Sequence, residues 1–158
     1  TDSLLRRSRS TEGDTMSRHR PFHPVPRGGI DPIRSRADAL AVLALGAPYG
    51  HDTVIVLLDT DRCGRTVMVV TDTIGDDALF RVIDTCISAT SMHPTIAGMI
   101  LASSRPDGAA EPDDAHRWLE ASDQCRAGGI ELIEWFVLGR SGPQCPREFF
   151  GEPERWAA

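Results

Sequence analysis

Lysine is absent: all 17 basic residues are arginine, which reflects coding bias and decides no mechanism. Cysteine is sparse and scattered. Cys63, Cys86, Cys125 and Cys145 form no Cys-x-x-Cys pair and no dense framework, so neither a zinc ribbon nor a disulfide scaffold is expected, and reduced thiols are the plain reading. No stretch approaches the roughly 20 apolar residues of a membrane-spanning helix, so no integral membrane protein is expected. The sequence opens without a charged-then-apolar leader, so secretion by that route is not expected; Met16 is a candidate start, with residues 1–15 added ahead of it. Internal repeats and a Gly-x-Ser-x-Gly elbow are also missing.

What is present is a chain of 158 residues with 41% hydrophobic content, enough for one domain with a sizeable core plus an extension. The net charge of -6 is unevenly spread. Residues 1–36 hold eight Arg against Asp2, Glu12, Asp14 and Asp31, a balance of +4, whereas the remainder holds nine Arg against 19 acids, a balance of -10. An acidic body repels nucleic acid and membrane surfaces, so only residues 1–30 offer such contacts. That segment carries Arg6-Arg7-Ser8-Arg9-Ser10 and a Pro-rich stretch, His19 to Pro26, and is read as a disordered basic tail. His19 and His23 would share a helix face, but Pro21 and Pro24 prevent the helix.

Order is expected from about residue 31. Ala37, Leu40, Ala41 and Ala44 recur at helical spacing, with Gly46 as the stop. Thr53–Asp59 is a short β-branched run that predicts a buried strand, and Asp61-Arg62-Cys63-Gly64 is turn chemistry leading to a second strand, Arg65–Val70. Asp76 and Asp77 then open a helix as capping carboxylates, with Leu79, Val82, Ile83, Cys86 and Ile87 as its buried stripe. Ile96–Ala102 is the third strand. After a polar loop, a helix begins past Pro112 at Asp113-Asp114, carries Trp118, Leu119 and Ala121 inward, and ends at Gly128-Gly129. Ile130–Leu138 is the last strand. Residues 141–158 read as an irregular strap held by aromatics. The expected fold class is α/β: three layers, a mixed central sheet, and the element order α-β-β-α-β-α-β.

Ile100-Leu-Ala-Ser-Ser-Arg-Pro-Asp-Gly108, then Pro112 and its helix, then Gly129-Ile-Glu-Leu-Ile-Glu-Trp-Phe-Val-Leu-Gly139 resemble the RadC-type branch of the JAB/MPN (JAMM metalloprotease-like) superfamily. In that family an apolar strand runs into His-x-His-Pro-x-Gly, followed by a loop, a helix and a strand closed by glycine. Val54-Ile-Val-Leu-Leu-Asp-Thr60 resembles its early strand and turn. The resemblance spans roughly residues 33–140. It implies a JAB/MPN-like domain over residues 31–140, but one without its metal. The two His positions fall on Ser103 and Arg105, the family's Ser falls on Asp113, and its Asp ligand falls on His116. No Glu occurs between Thr53 and Ala110 to act as general base. Ser is a poor zinc ligand and Arg105 is a fixed positive charge, so no metal and no other cofactor is expected. The resemblance then implies a non-catalytic binding or assembly module of a bacterial cytosol. Its partner would be an unidentified protein or a second copy of the chain in a homodimer, with no membrane contact.

The candidate cleft is accordingly Ser103, Ser104, Arg105, Asp107, Asp113 and His116. His116 lies one turn from Asp113 but no third ligand is visible, so a solvated pair at a helix start is the expectation. Arg105-Pro106-Asp107-Gly108 reads as a rigid turn. Phe149, Phe150 and Trp156 either fold back or present a patch to a partner. Two alternatives remain open. One is a hydrolase using Ser103 with His116, or the Cys63 thiol between Arg62 and Arg65. The other is a nucleic-acid-associated protein acting through its Arg-rich tail.

Overall fold

The computed structural model describes residues 31–156 and, as backbone, the two-residue strand β1 (His23–Pro24). The rest of the expected tail lies outside the described residues. Within that segment β1 pairs with the later strand Gly64–Val70: His23 sits opposite Val67 and Pro24 opposite Thr66. An outermost strand tolerates proline because its missing N–H is not needed there.

The described elements are α1 (Arg36–Leu43), β2 (Thr53–Asp59), β3 (Gly64–Val70), α2 (Ala78–Thr90), β4 (Ile96–Ser104), α3 (Pro112–Ala127), β5 (Glu131–Gly139) and β6 (Gly142–Gln144). Short 3-10 turns follow α1 at Ala44–Gly46 and β6 at Pro146–Phe150. Six strands form one mixed sheet in the order β1-β3-β2-β4-β5-β6, with only β4 and β5 parallel. The α/β class and the mixed central sheet therefore stand, and the sheet holds two strands, β1 and β6, beyond those expected.

Strand alternation explains the layers. Ile55, Leu57, Met99, Leu101, Trp135 and Val137 face one way and pack under α2 and α3, where Ile83, Cys86, Trp118 and Cys125 complete the cluster. Val54, Val56, Leu58, Ile100, Ala102 and Phe136 face the other way, toward Ala39 and Leu43 of α1 and toward Trp156. β2 is buried along its whole length, as its unbroken apolar run requires of a strand covered on both sides. Cys125 and Cys145 belong to opposite clusters, and all four cysteines are free.

Several local expectations are corrected. Asp77 occupies the N-cap of α2 with helical φ and ψ of -89° and -3°, and its side chain makes no capping hydrogen bond. Capping carboxylates need an extended backbone to fold back on the first turn; Asp76 instead pairs with Arg117 on α3. Leu119 is 38% exposed; the inward face of α3 is Ala115, Trp118, Ala121, Ser122 and Cys125. The β2–β3 turn forms as expected, with Arg62 as its left-handed residue (φ 66°).

The strap is less irregular than its prolines suggest. After β6 and its 3-10 turn it runs round the β5 edge of the sheet. Arg147 is 4% exposed and binds Glu134, itself 1% exposed, at 2.9 Å, and also donates to the Glu152 carbonyl. A register shift makes this possible: Met99 pairs with Leu132 but Ile100 with Glu134, so Ile133 is an extra residue. Arg155 donates to the Leu132 carbonyl at 2.9 Å and lies over the Trp118 ring at 4.6 Å, while the neighbouring Trp156 stacks on Phe136 on the other face. Trp156 is thus core rather than an exposed contact, whereas Phe149 and Phe150 are 51% and 46% exposed.

Candidate functional site

The parallel pair β4 and β5 ends beside the start of α3, and a cleft of about 370 Å3 opens there. Loops after parallel strands are where α/β folds place working groups. Ser103, Ser104, Arg105 and Asp107 line this cleft, so the structure brings together four of the six candidate residues. Asp113 is exposed, and His116 turns away to meet the Phe150 ring edge-on at 5.5 Å; neither lines the cleft.

The expected turn forms, with Gly108 N–H donating to the Arg105 carbonyl at 3.0 Å. Arg105 N–H in turn donates to Leu138 at 2.9 Å, pinning the loop across the strand ends. Gly139 makes that approach possible: a Cβ there would sit 2.1 Å from the Gly108 carbonyl oxygen.

Behind the loop lies Asp114, with no exposed side-chain surface. Its Oδ2 accepts from Arg105 Nη1 at 2.5 Å and from Glu111 N–H at 2.8 Å; its Oδ1 accepts from Arg105 Nη2 at 2.8 Å and Arg117 Nη1 at 3.0 Å. Burial alone would raise the Asp114 carboxyl, but the Arg105, Glu111 and Arg117 bonds outweigh it and hold the group below the usual carboxylate range. Arg105 is raised in return by its bonds to Asp114. The cation at the end of β4 is therefore a guanidinium, fixed in a bidentate grip.

A hydrogen-bond chain leads to Ser103. Trp135 Nε1–H donates to Ser103 Oγ at 3.0 Å, and Thr73 Oγ1–H donates to the His51 carbonyl at 2.6 Å. Thr53 Oγ1 lies 2.8 Å from Thr73 Oγ1 and 3.5 Å from Ser103 Oγ. Since Thr73 spends its proton on the carbonyl, Thr53 donates to Thr73, and Ser103 lies at the far end of this chain, 3.5 Å from Thr53. The side-chain partners of Ser103 Oγ are thus an indole and a hydroxyl; among the described residues no hydrogen bond joins it to a base that would activate it as a nucleophile. Ser104 and the exposed His51 share the cleft, but no hydrogen bond joins them. Among the described residues, no group of three or more His, Cys, Asp or Glu side chains is placed to hold a metal ion.

Cys63, the other candidate nucleophile, is partly exposed in the β2–β3 turn. Arg65 beside it is engaged by Asp59 at 2.5 Å, and Arg62 by Glu131 at 3.1 Å. Its Sγ lies 3.9 Å from the Asp61 carbonyl, and its backbone N–H donates to Asp59.

Sequence reasoning missed Asp114, Arg117, Trp135, Thr53 and Thr73. The signal for Asp114 was available: Glu111-Pro-Asp-Asp114 has the spacing of a capping box, in which the N3 carboxylate accepts from the N-cap N–H, and both halves form here. Arg117 follows by one helical turn. Nothing local marks Trp135 or Thr73. The chain matches no protein-family model, and no curated protein is significantly similar to it. Among the described residues no helix is long and apolar enough to cross a membrane.

Proposed function

We propose that the chain is a non-catalytic binding or assembly module on a RadC-type, JAB/MPN-like framework, acting in a bacterial cytosol. The strand–loop–helix–strand unit from β4 to β5, with Gly108 and Gly139 in contact at its mouth, supports the framework. The observation that carries the non-catalytic reading is the Arg105–Asp114 pair. It fills the end of β4, where the resemblance places metal ligands, with a permanent cation and its own counter-ion. A guanidinium has no open coordination position at which to lower the pKa of a water, so it cannot replace a catalytic zinc. What remains is a recognition surface: the Ser104 hydroxyl, the exposed His51, and Ile74 on the rim, 62% exposed.

Two measurements test this reading. After incubation with excess zinc and dialysis, metal analysis is expected to find no stoichiometric ion; one tightly held zinc assigned to residues 103–116 would overturn it. In quantitative capture, a partner recovered by the wild type is expected to be lost with both Ser104→Trp and Ile74→Asp. Sedimentation of the same variants identifies the case in which that partner is a second copy. A partner retained by both variants would refute the cleft as the recognition surface.

A further inference from the structure

A second cleft, of about 630 Å3, lies at the opposite end of the sheet, beside the β2–β3 turn. Arg62 and Trp156 both line it, and each carries a buried donor with no hydrogen-bond partner among the described residues: Nη1 of Arg62 and Nε1 of Trp156. Trp156 is 7% exposed and the Arg62 side chain 16%. The other indoles are treated differently. Trp118 Nε1 donates to Glu152 at 2.9 Å and Trp135 Nε1 to Ser103 at 3.0 Å. Arg62 places Nη2 on Glu131 at 3.1 Å and leaves Nη1 without an acceptor. A buried donor without an acceptor is destabilising, and each exception in a folded protein calls for a cause. Neither nitrogen is open to bulk water, so solvent does not relieve them, and an incoming acceptor reaches them by displacing the atoms that cover them.

We propose that this cleft binds a small organic carboxylate, whose oxygens accept from Arg62 and Trp156 while its apolar body lies against the indole and Pro32. Three features select that chemistry. Arg34 adds a second guanidinium to the same wall, and guanidinium groups match planar carboxylates. Asp61 and Glu154 also line the cleft, and their repulsion weighs on a dianion such as phosphate more heavily than on a monoanion. The volume is that of a small-molecule site. The proposal is independent of the cleft at the other end and survives if that cleft binds nothing.

The test is a titration of the full chain with benzoate, followed through the three indole N–H signals by nitrogen–proton correlation spectra, with Trp156→Phe identifying the Trp156 signal. Saturable movement of that signal at millimolar benzoate, with those of Trp118 and Trp135 stationary, is the expected result. Arg62→Met, which keeps the buried stem, is expected to weaken binding roughly tenfold, and Arg34→Gln to weaken it less, the two stationary indole signals reporting that each variant is folded. No saturable movement, equal movement of all three signals, or a response to inorganic phosphate with none to benzoate would each overturn the proposal.

Discussion

Removing the Asp114 carboxylate tests the cleft architecture most directly. Asp114 accepts four hydrogen bonds, three of them from guanidinium groups, and is wholly buried. Asp114→Ala strips Arg105 of its counter-ion, leaves Arg117 only the exposed Asp76, and leaves the Glu111 N–H without its acceptor. Breaking a buried ion pair costs about 3–5 kcal/mol, and losing a helix cap adds about 1 kcal/mol. The Arg105 and Arg117 side chains keep 27% and 23% exposure, so water recovers part of that loss. The expected destabilisation is about 3 kcal/mol, read from urea unfolding at neutral pH with an unchanged slope. Asp114→Asn should cost nearly as much, because its amide sets a donor against a guanidinium. The sign of the pH dependence follows from the lowered pKa. The folded carboxyl lies below its unfolded value, so its stabilising contribution is full above about pH 4 and disappears as the pH falls through the folded value. The gap between wild type and Asp114→Asn must therefore narrow in acid. A gap under about 1 kcal/mol at neutral pH, or one that ignores acid, refutes the reasoning.

Other expectations concern the rest of the chain. Burial raises the Glu134 carboxyl and the Arg147 charge offsets this only in part; Arg147→Met should destabilise by about 3–5 kcal/mol in urea unfolding, and adding Glu134→Leu should restore most of it. Gly139→Ala drives a methyl into the Gly108 carbonyl, so the loop must retreat, with an expected loss of about 1–3 kcal/mol and a lower thermal midpoint. Burial pushes the thiols of Cys86, Cys125 and Cys145 up to about 12, so a thiol reagent at mildly alkaline pH should label Cys63 quickly and the other three only after unfolding. Fast labelling of a second cysteine in the folded protein would contradict the packing described.

The sequence made the layers legible because their cause is local. The run Val54–Leu58 and the stripe Leu79, Val82, Ile83 and Cys86 each announce a period, and both are buried as that period requires. The loop Ser103–Gly108 was also legible, since Pro-Asp-Gly has few other uses. Which carboxylate would meet Arg105 was not. The capping-box spacing from Glu111 singles out Asp114 over the adjacent Asp113, but no local pattern names the Arg105 guanidinium as its partner. Likewise the Ser103–Thr53–Thr73 chain joins three separate segments, and no spacing along one strand foretells it. For Trp156 the sequence left folding back and an exposed patch both open, because its partner, Phe136, lies 20 positions earlier, beyond any local pattern.

The strap has a mechanical consequence. Arg155 grips one side of β5 and Trp156 the other, so consecutive residues straddle the rim of the sheet like a staple over the edge of a page. A hydrogen-bonding edge held in this way at Leu132 is withdrawn from pairing with another strand. Prising the staple loose would bare that edge, unseat Trp156 from one hydrophobic layer and lift Arg155 off the Trp118 ring of the other, so both faces of the domain loosen as one.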